Sequence, residues 1–151
     1  VENPIKQVYV FNEKAKLLGK GYNARLEAAF QIEEALEGFN VVEIATKLGR
    51  NDITSEKDLS RYILSLDTVT EQLPAVDALD KACDSIVYAI GSIAKLGLDV
   101  QGITRALNIV MSSNQAKLNN ATYDEAGKLL KDLNFVGPEA KLQALLDEKV
   151  K

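Results

Sequence analysis

Residues 31–38 read QIEEALEG and carry Glu33, Glu34 and Glu37 at spacings of one and three. At about 100° per residue, Leu26, Ala29, Phe30 and Leu36 mark one apolar arc of a helix. Glu33 and Glu37 project into the middle of that arc, and Glu34 falls on its edge. A second acidic series, Asp77, Asp80 and Asp84, recurs at spacings of three and four after Pro74. It runs along the shoulder of another apolar stripe made of Val76, Leu79, Cys83, Ile86, Val87, Ile90 and Ala94. Gly91 continues the acidic stripe and leaves room beside it.

Acids at helical spacing ordinarily form a solvated face. Like charges one turn apart repel, and burying them adds a desolvation cost. Two such series turned toward apolar faces call for something positive between them, and a divalent cation answers that need. Carboxylates from two helices supply the oxygen ligands that Mg²⁺ takes in octahedral geometry at about 2.1 Å. With this many acids, two metals about 3.5–4 Å apart are also compatible. A third break in the pattern lies in GITRALNIVMSSNQAKL. Its inward stripe is Ile103, Leu107, Val110, Met111 and Leu118, with Asn114 near the middle and Lys117 a turn later toward the edge. A buried amide often does no more than bond to backbone. Beside acid clusters, Asn114 could read a sugar or base and Lys117 could hold a phosphate.

Composition narrows the chemistry. The 151-residue chain has no histidine, which excludes Ser-His-Asp and Cys-His catalysis, His-rich zinc sites and Glu-x-x-His di-iron bundles. A metal would have to be held by oxygen, which favours Mg²⁺, with Mn²⁺ as a substitute. One cysteine, Cys83, forbids an internal disulfide and fits a reducing cytoplasm. A net charge of −4 argues against a nucleic-acid polymer as partner, though not against a nucleotide whose charge a cation offsets. No apolar run reaches the roughly 18–20 residues that span a bilayer, and VENPIKQ has no signal-peptide pattern, so no membrane partner is expected.

The elements that must position these residues read as helices. Asn3 and Pro4 open the first, which closes at Gly19 or Gly21; a second runs from about Asn23 to Glu37 and stops at Gly38. A short helix ends at Gly49, and Ser55 with Asp58 resembles a capping box for the next. A long helix follows Pro74 to Gly97, Asp99 caps another, and Pro138 starts a last one after a looser stretch at 119–136. Strand alternation and internal repeats are absent from the pattern. The expected fold is an all-α bundle of about five to six helices in a single domain, residues 1–151, completed by oligomerisation. Residues 38–76 form a helical insertion between the acid series, and 119–151 a looser C-terminal segment ending in a helix.

Together, EEALE, DALDKACD running into SIVYAIGSIAKLGLD, SSNQAKL, and the tail AGKLLKDLNFVGPEAKLQALLDEK resemble the MazG-like branch of the all-α nucleotide pyrophosphohydrolases. The tail is similar to that of phosphoribosyl-ATP pyrophosphatase-like members, many of them phage-encoded. The resemblance implies Mg²⁺-dependent hydrolysis of a nucleoside triphosphate to the monophosphate and pyrophosphate, in pool cleaning or control. It implies a metal motif of Glu-x-x-Glu and Glu-x-x-Asp. Glu34 and Glu37 match the first pair, and Glu33 matches the acid that often precedes it. Asp84 matches the final Asp; Lys81 stands where the preceding acid is usual, and Asp80 is the substitute, with Asp77 left open as a ligand.

On this basis Glu33, Glu34, Glu37, Asp80 and Asp84 are the expected metal ligands, and Glu33 or Glu34 the group that orients or deprotonates the attacking water. Lys117 is expected on the triphosphate, Lys128 and Lys131 as secondary phosphate contacts, and Asn114 on sugar or base. Gln7, Phe11 and Asn12 are speculative base contacts, with Phe11 reading more naturally as core. A homodimer or homotetramer is implied. Two other readings stay open: a non-catalytic helical interaction module, and a related hydrolase of phosphoribosyl-ATP or a modified nucleotide.

Overall fold

The computed structural model describes residues 2–68 and 73–148. Among these are seven α-helices, one more than the upper expectation, and no strand. They are α1 (Pro4–Lys14), α2 (Ala24–Ala35), α3 (Val41–Lys47), α4 (Glu56–Ser65), α5 (Ala75–Lys95), α6 (Val100–Ala116) and α7 (Glu139–Asp147). The chain divides into two compact units: Val1–Gly21 with Lys81–Lys151, and Tyr22–Asp80. The boundary falls inside the unbroken helix α5.

In the first unit, Asn3 Oδ1 accepts from Ile5 N, and Pro4 supplies a preset φ at the first helical position of α1. Asp99 caps α6 by accepting from Gly102 N at 2.8 Å. Helix α6 packs on both α1 and α7. Its core holds Leu98, Ala106 and Leu145, with Ile93, Ile103, Ile109, Leu142 and Leu146 against them. Arg105 on α6 clamps Glu148 through two bonds of 2.7 and 2.9 Å. The stretch at 119–136 is ordered by an Asx turn and an antiparallel bridge between Tyr123 and Leu129. Asp124 Oδ1 accepts from both Ala126 N and Lys128 N, at 2.9 Å each. Tyr123 donates its hydroxyl to Ala15 O at 2.8 Å, and Lys20 Nζ donates to Gly127 O at 3.0 Å, which fastens the segment to the end of α1.

The second unit is built by α2 and the expected insertion. Asn23, Asn40 and Ser55 cap α2, α3 and α4 through Leu26 N, Glu43 N and Asp58 N. At the end of α3, Gly49 takes φ +77°, which lets Arg50 N reach back to Ala45 O at 2.8 Å. Val41, Ala45, Ile53 and Leu59 form the core, with Leu36, Ile44, Tyr62 and Ile63 packed on it. Helix α4 packs against both α2 and α3. Residues 38–76 therefore do not hang off a completed bundle; they give α2 its core.

Two expectations change. Helix α2 ends at Ala35, so Glu37 sits on the following turn rather than on the helix. Gly38, at φ +86°, adopts a conformation that stops the chain from continuing helically. The apolar stripe of α5, read as a buried face, is uncovered: no residue of α5 is buried. Val76 is 71 % exposed, Leu79 65 %, Val87 66 % and Tyr88 76 %. No single described helix is long and apolar enough to cross a membrane.

Candidate functional site

The acids of the first series differ in surroundings. Glu33 is half-buried, with its Oε2 shielded from water, as its place inside the apolar arc requires. Glu34 on the rim of the arc and Glu37 on the turn are exposed, so the expectation that Glu37 points inward does not hold in the chain by itself. Asp77, Asp80 and Asp84 are exposed along α5. All six are oxygen donors of the kind Mg²⁺ takes. Among the described residues of one chain, however, no group of three or more Asp, Glu or Cys side chains is placed to hold a metal ion.

Two of the lysines expected on phosphate, Lys117 and Lys131, come together. Lys117 follows the last residue of α6, and its Nζ stands over the Phe135 ring, 5.3 Å from the centroid. Lys131 Nζ stands over the same ring at 5.2 Å. Both lie within the range of favourable cation–π contact. SSNQAKL and NFVGPE, separated in sequence, thus meet at one aromatic ring. Asn114, one turn before Lys117, is half-buried; its amide donates to the Met111 sulfur at 4.0 Å, a weak acceptor. Lys128 is half-buried in the Asx turn, which its backbone N–H helps to close.

The speculative contacts on α1 fare differently. Asn12 donates its amide to Val8 O at 2.8 Å, an internal bond of its own helix. Gln7 donates to the Glu2 carboxylate, and its Oε1 is buried without a hydrogen bond. Gln7 also lines a cavity of about 540 Å³ with Glu2, Asn3, Lys6, Val10, Lys14 and Gln115. Phe11 is half-buried, in keeping with a packing role.

Electrostatics single out a pair that sequence reasoning passed over. Arg50 holds Asp52 through its Nε and Nη2, at 2.9 and 2.8 Å. That hydrogen-bonded pairing lowers the Asp52 pKa to about 2 and raises that of Arg50. The Arg50 guanidinium also lies 4.4 Å from the centroid of Tyr62. Arg61 went unremarked as well. At helical spacing it falls opposite Leu59 and reads as solvated, yet it is half-buried, with Nε and Nη2 shielded from water. Only the packing of α4 between two helices covers that face, and nothing in a single helix's pattern signals it.

No protein-family model matches the chain, and neither a curated protein nor a solved structure does. The fold class is all-α among the described residues.

Proposed function

We propose that the chain is a Mg²⁺-dependent nucleoside triphosphate pyrophosphohydrolase, releasing pyrophosphate from an NTP or dNTP. The observation that carries this reading is the meeting of Lys117 and Lys131 over Phe135. Two ammonium groups expected on a triphosphate come from separate segments to one place, and both segments belong to the motif series. Glu33, Glu34, Glu37, Asp80 and Asp84 are the proposed metal ligands, with Asp77 as a further candidate. When bound, the metal supplies Lewis-acid polarisation of phosphoryl oxygens and a more acidic water. Glu33, half-buried on α2, is the first candidate for orienting a water, and Glu34 is the second. Asn114 is proposed on sugar or base, with Lys128 secondary.

The uncovered stripe of α5 bears on assembly. It runs about 30 Å along a 21-residue helix, and its acids lie on its shoulder. We propose that a second copy covers the stripe, as a homodimer or a pair of dimers, and thereby draws the acids of the site together. The same exposed stripe favours a second reading, a non-catalytic module that docks a partner helix. A panel of canonical and modified NTPs and phosphoribosyl-ATP, assayed for pyrophosphate with and without Mg²⁺, separates the readings. Metal-dependent release from an NTP supports the proposal; release from phosphoribosyl-ATP or a modified nucleotide alone shifts the substrate class. No turnover of any member supports the docking module.

A further inference from the structure

The strongest unassigned feature lies within unit Tyr22–Asp80. Two clefts, of about 300 and 350 Å³, share Arg61 and Ser65. The first is lined by Asn23, Arg25, Leu26, Ala29, Arg61, Leu64 and Ser65 and contains no acid. Arg61 Nε and Nη2 are both buried and donate to no hydrogen-bond partner among the described residues. These two nitrogens form the edge of the guanidinium that grips oxygen pairs. Arg50, eleven residues earlier, uses the same edge to hold Asp52. Arg61 keeps it shielded from water, in the wall that the two clefts share.

A shielded, unsatisfied charge is costly, and arginine cannot escape by losing its proton. Asp52 and Asp58, which line the second cleft, leave that edge without a hydrogen bond, and the remaining solution is a counter-ion. The cleft is built to keep one. Arg25 is anchored across α2 and α4, donating to Leu64 O and, at 3.0 Å, to Asp67 O, so its positive charge stays at the wall. Asn23 spends its side-chain oxygen on capping Leu26 N at 3.0 Å, which leaves its amide N–H groups as donors. Ser65 donates its hydroxyl to Tyr62 O at 2.6 Å and adds only a lone pair. Leu26, Ala29 and Leu64 provide an apolar floor that limits competing water.

We propose that this cleft is a binding site for an oxyanion of the phosphoryl class, with the Arg61 guanidinium in its wall supplying the charge that holds it. A carboxylate satisfies one guanidinium edge and little else. A phosphoryl group offers further oxygens, which suit the Asn23 amide and the second positive charge of Arg25. The space exceeds a single carboxylate and accommodates a diphosphate or a phosphate ester. The site stands on this unit's own geometry and does not require the catalytic reading. It lies near the acids on the chain: Ala29 in the cleft wall and Glu33 share a face of α2, about 6 Å apart along its axis.

The test uses the full chain in EDTA, so that no metal-held phosphate contributes. Titration calorimetry with inorganic phosphate, pyrophosphate and acetate reads the site directly. The expected result is binding of phosphate or pyrophosphate near one per chain, with acetate weaker by about tenfold or more. Arg61→Met keeps the apolar stem and removes the charge; it should weaken pyrophosphate binding by about tenfold or more and abolish the rise in melting temperature that pyrophosphate gives the unaltered chain. Asn23→Asp retains an N-cap for α2 while adding a negative charge to the cleft, so its helical circular dichroism should persist and its binding should fall. Absence of phosphate and pyrophosphate binding in the unaltered chain overturns the proposal. Undiminished binding in both variants overturns it too, and acetate binding as tightly as phosphate overturns the assignment of class.

Discussion

Lys117 and Phe135 meet with the ammonium 5.3 Å from the ring centroid, joining the end of α6 to the tail that precedes α7. Lys131 reaches the same ring. A ring that fixes two cations places them for a polyanion at little further ordering cost. Lys131→Ala should therefore raise KM for a nucleoside triphosphate, with kcat changed less. A charge-assisted hydrogen bond is worth about 1.5–3 kcal/mol, so the rise should be about tenfold to a hundredfold. Steady-state pyrophosphate release measures it.

The acids make a sharper demand. Glu37→Gln and Asp84→Asn each keep side-chain volume and remove a charge. Both residues are exposed, so helical circular dichroism should be retained. Mg²⁺-dependent pyrophosphate release should fall by at least about a hundredfold, as expected for groups that stabilise charge in the transition state. Retained turnover in both removes them from the site.

Assembly is testable on α5. Val87 is 66 % exposed on a stripe that its own chain leaves uncovered. Covering a valine stabilises an interface by about 1.5 kcal/mol or more, and a buried carboxylate in its place costs several more. Val87→Glu should shift the chain to monomer in sedimentation or light scattering, and lower turnover if the acids of the site require a second copy.

The second unit rests on Leu59, which is 0 % exposed in the core with Val41, Ala45 and Ile53. Leu59→Ala should cost about 2–5 kcal/mol through lost burial and a residual cavity. Urea unfolding should show a lowered midpoint. Because α4 meets both α2 and α3, this loss should loosen the Arg61 cleft as well.

The Arg50–Asp52 pair predicts a pH dependence with a definite sign. Asp52 has an ordinary pKa of 3.8 and about 2 in the fold, chiefly through its bond to the Arg50 guanidinium. The fold favours the ionised form. Its stabilisation is complete above about pH 4 to 5 and is lost as the pH falls through about 2. Carboxyl chemical shifts should place the Asp52 midpoint near 2, and Asp52→Asn should flatten the corresponding acid loss of stability. The pair is solvent-exposed, so the effect on stability is small.

Much of the fold was already written in local pattern. Asn3–Pro4, Asn23, Ser55 and Asp99 mark helix starts because each satisfies amide groups within its own first turn, and Gly49 ends α3 because the turn needs positive φ. These are interactions among neighbours in sequence, so residue type and spacing suffice to read them. Glu33, misplaced in an apolar arc, was legible for the same reason. Only the tertiary structure decided what covers each face. It left the stripe of α5 open, although its periodicity equals that of a core helix, and it closed α2 over the polar side of α4, shielding an arginine that the sequence alone assigns to solvent. A hydrophobic period says which residues share a side. Burial depends on contacts between elements far apart along the chain, and no local repeat encodes those.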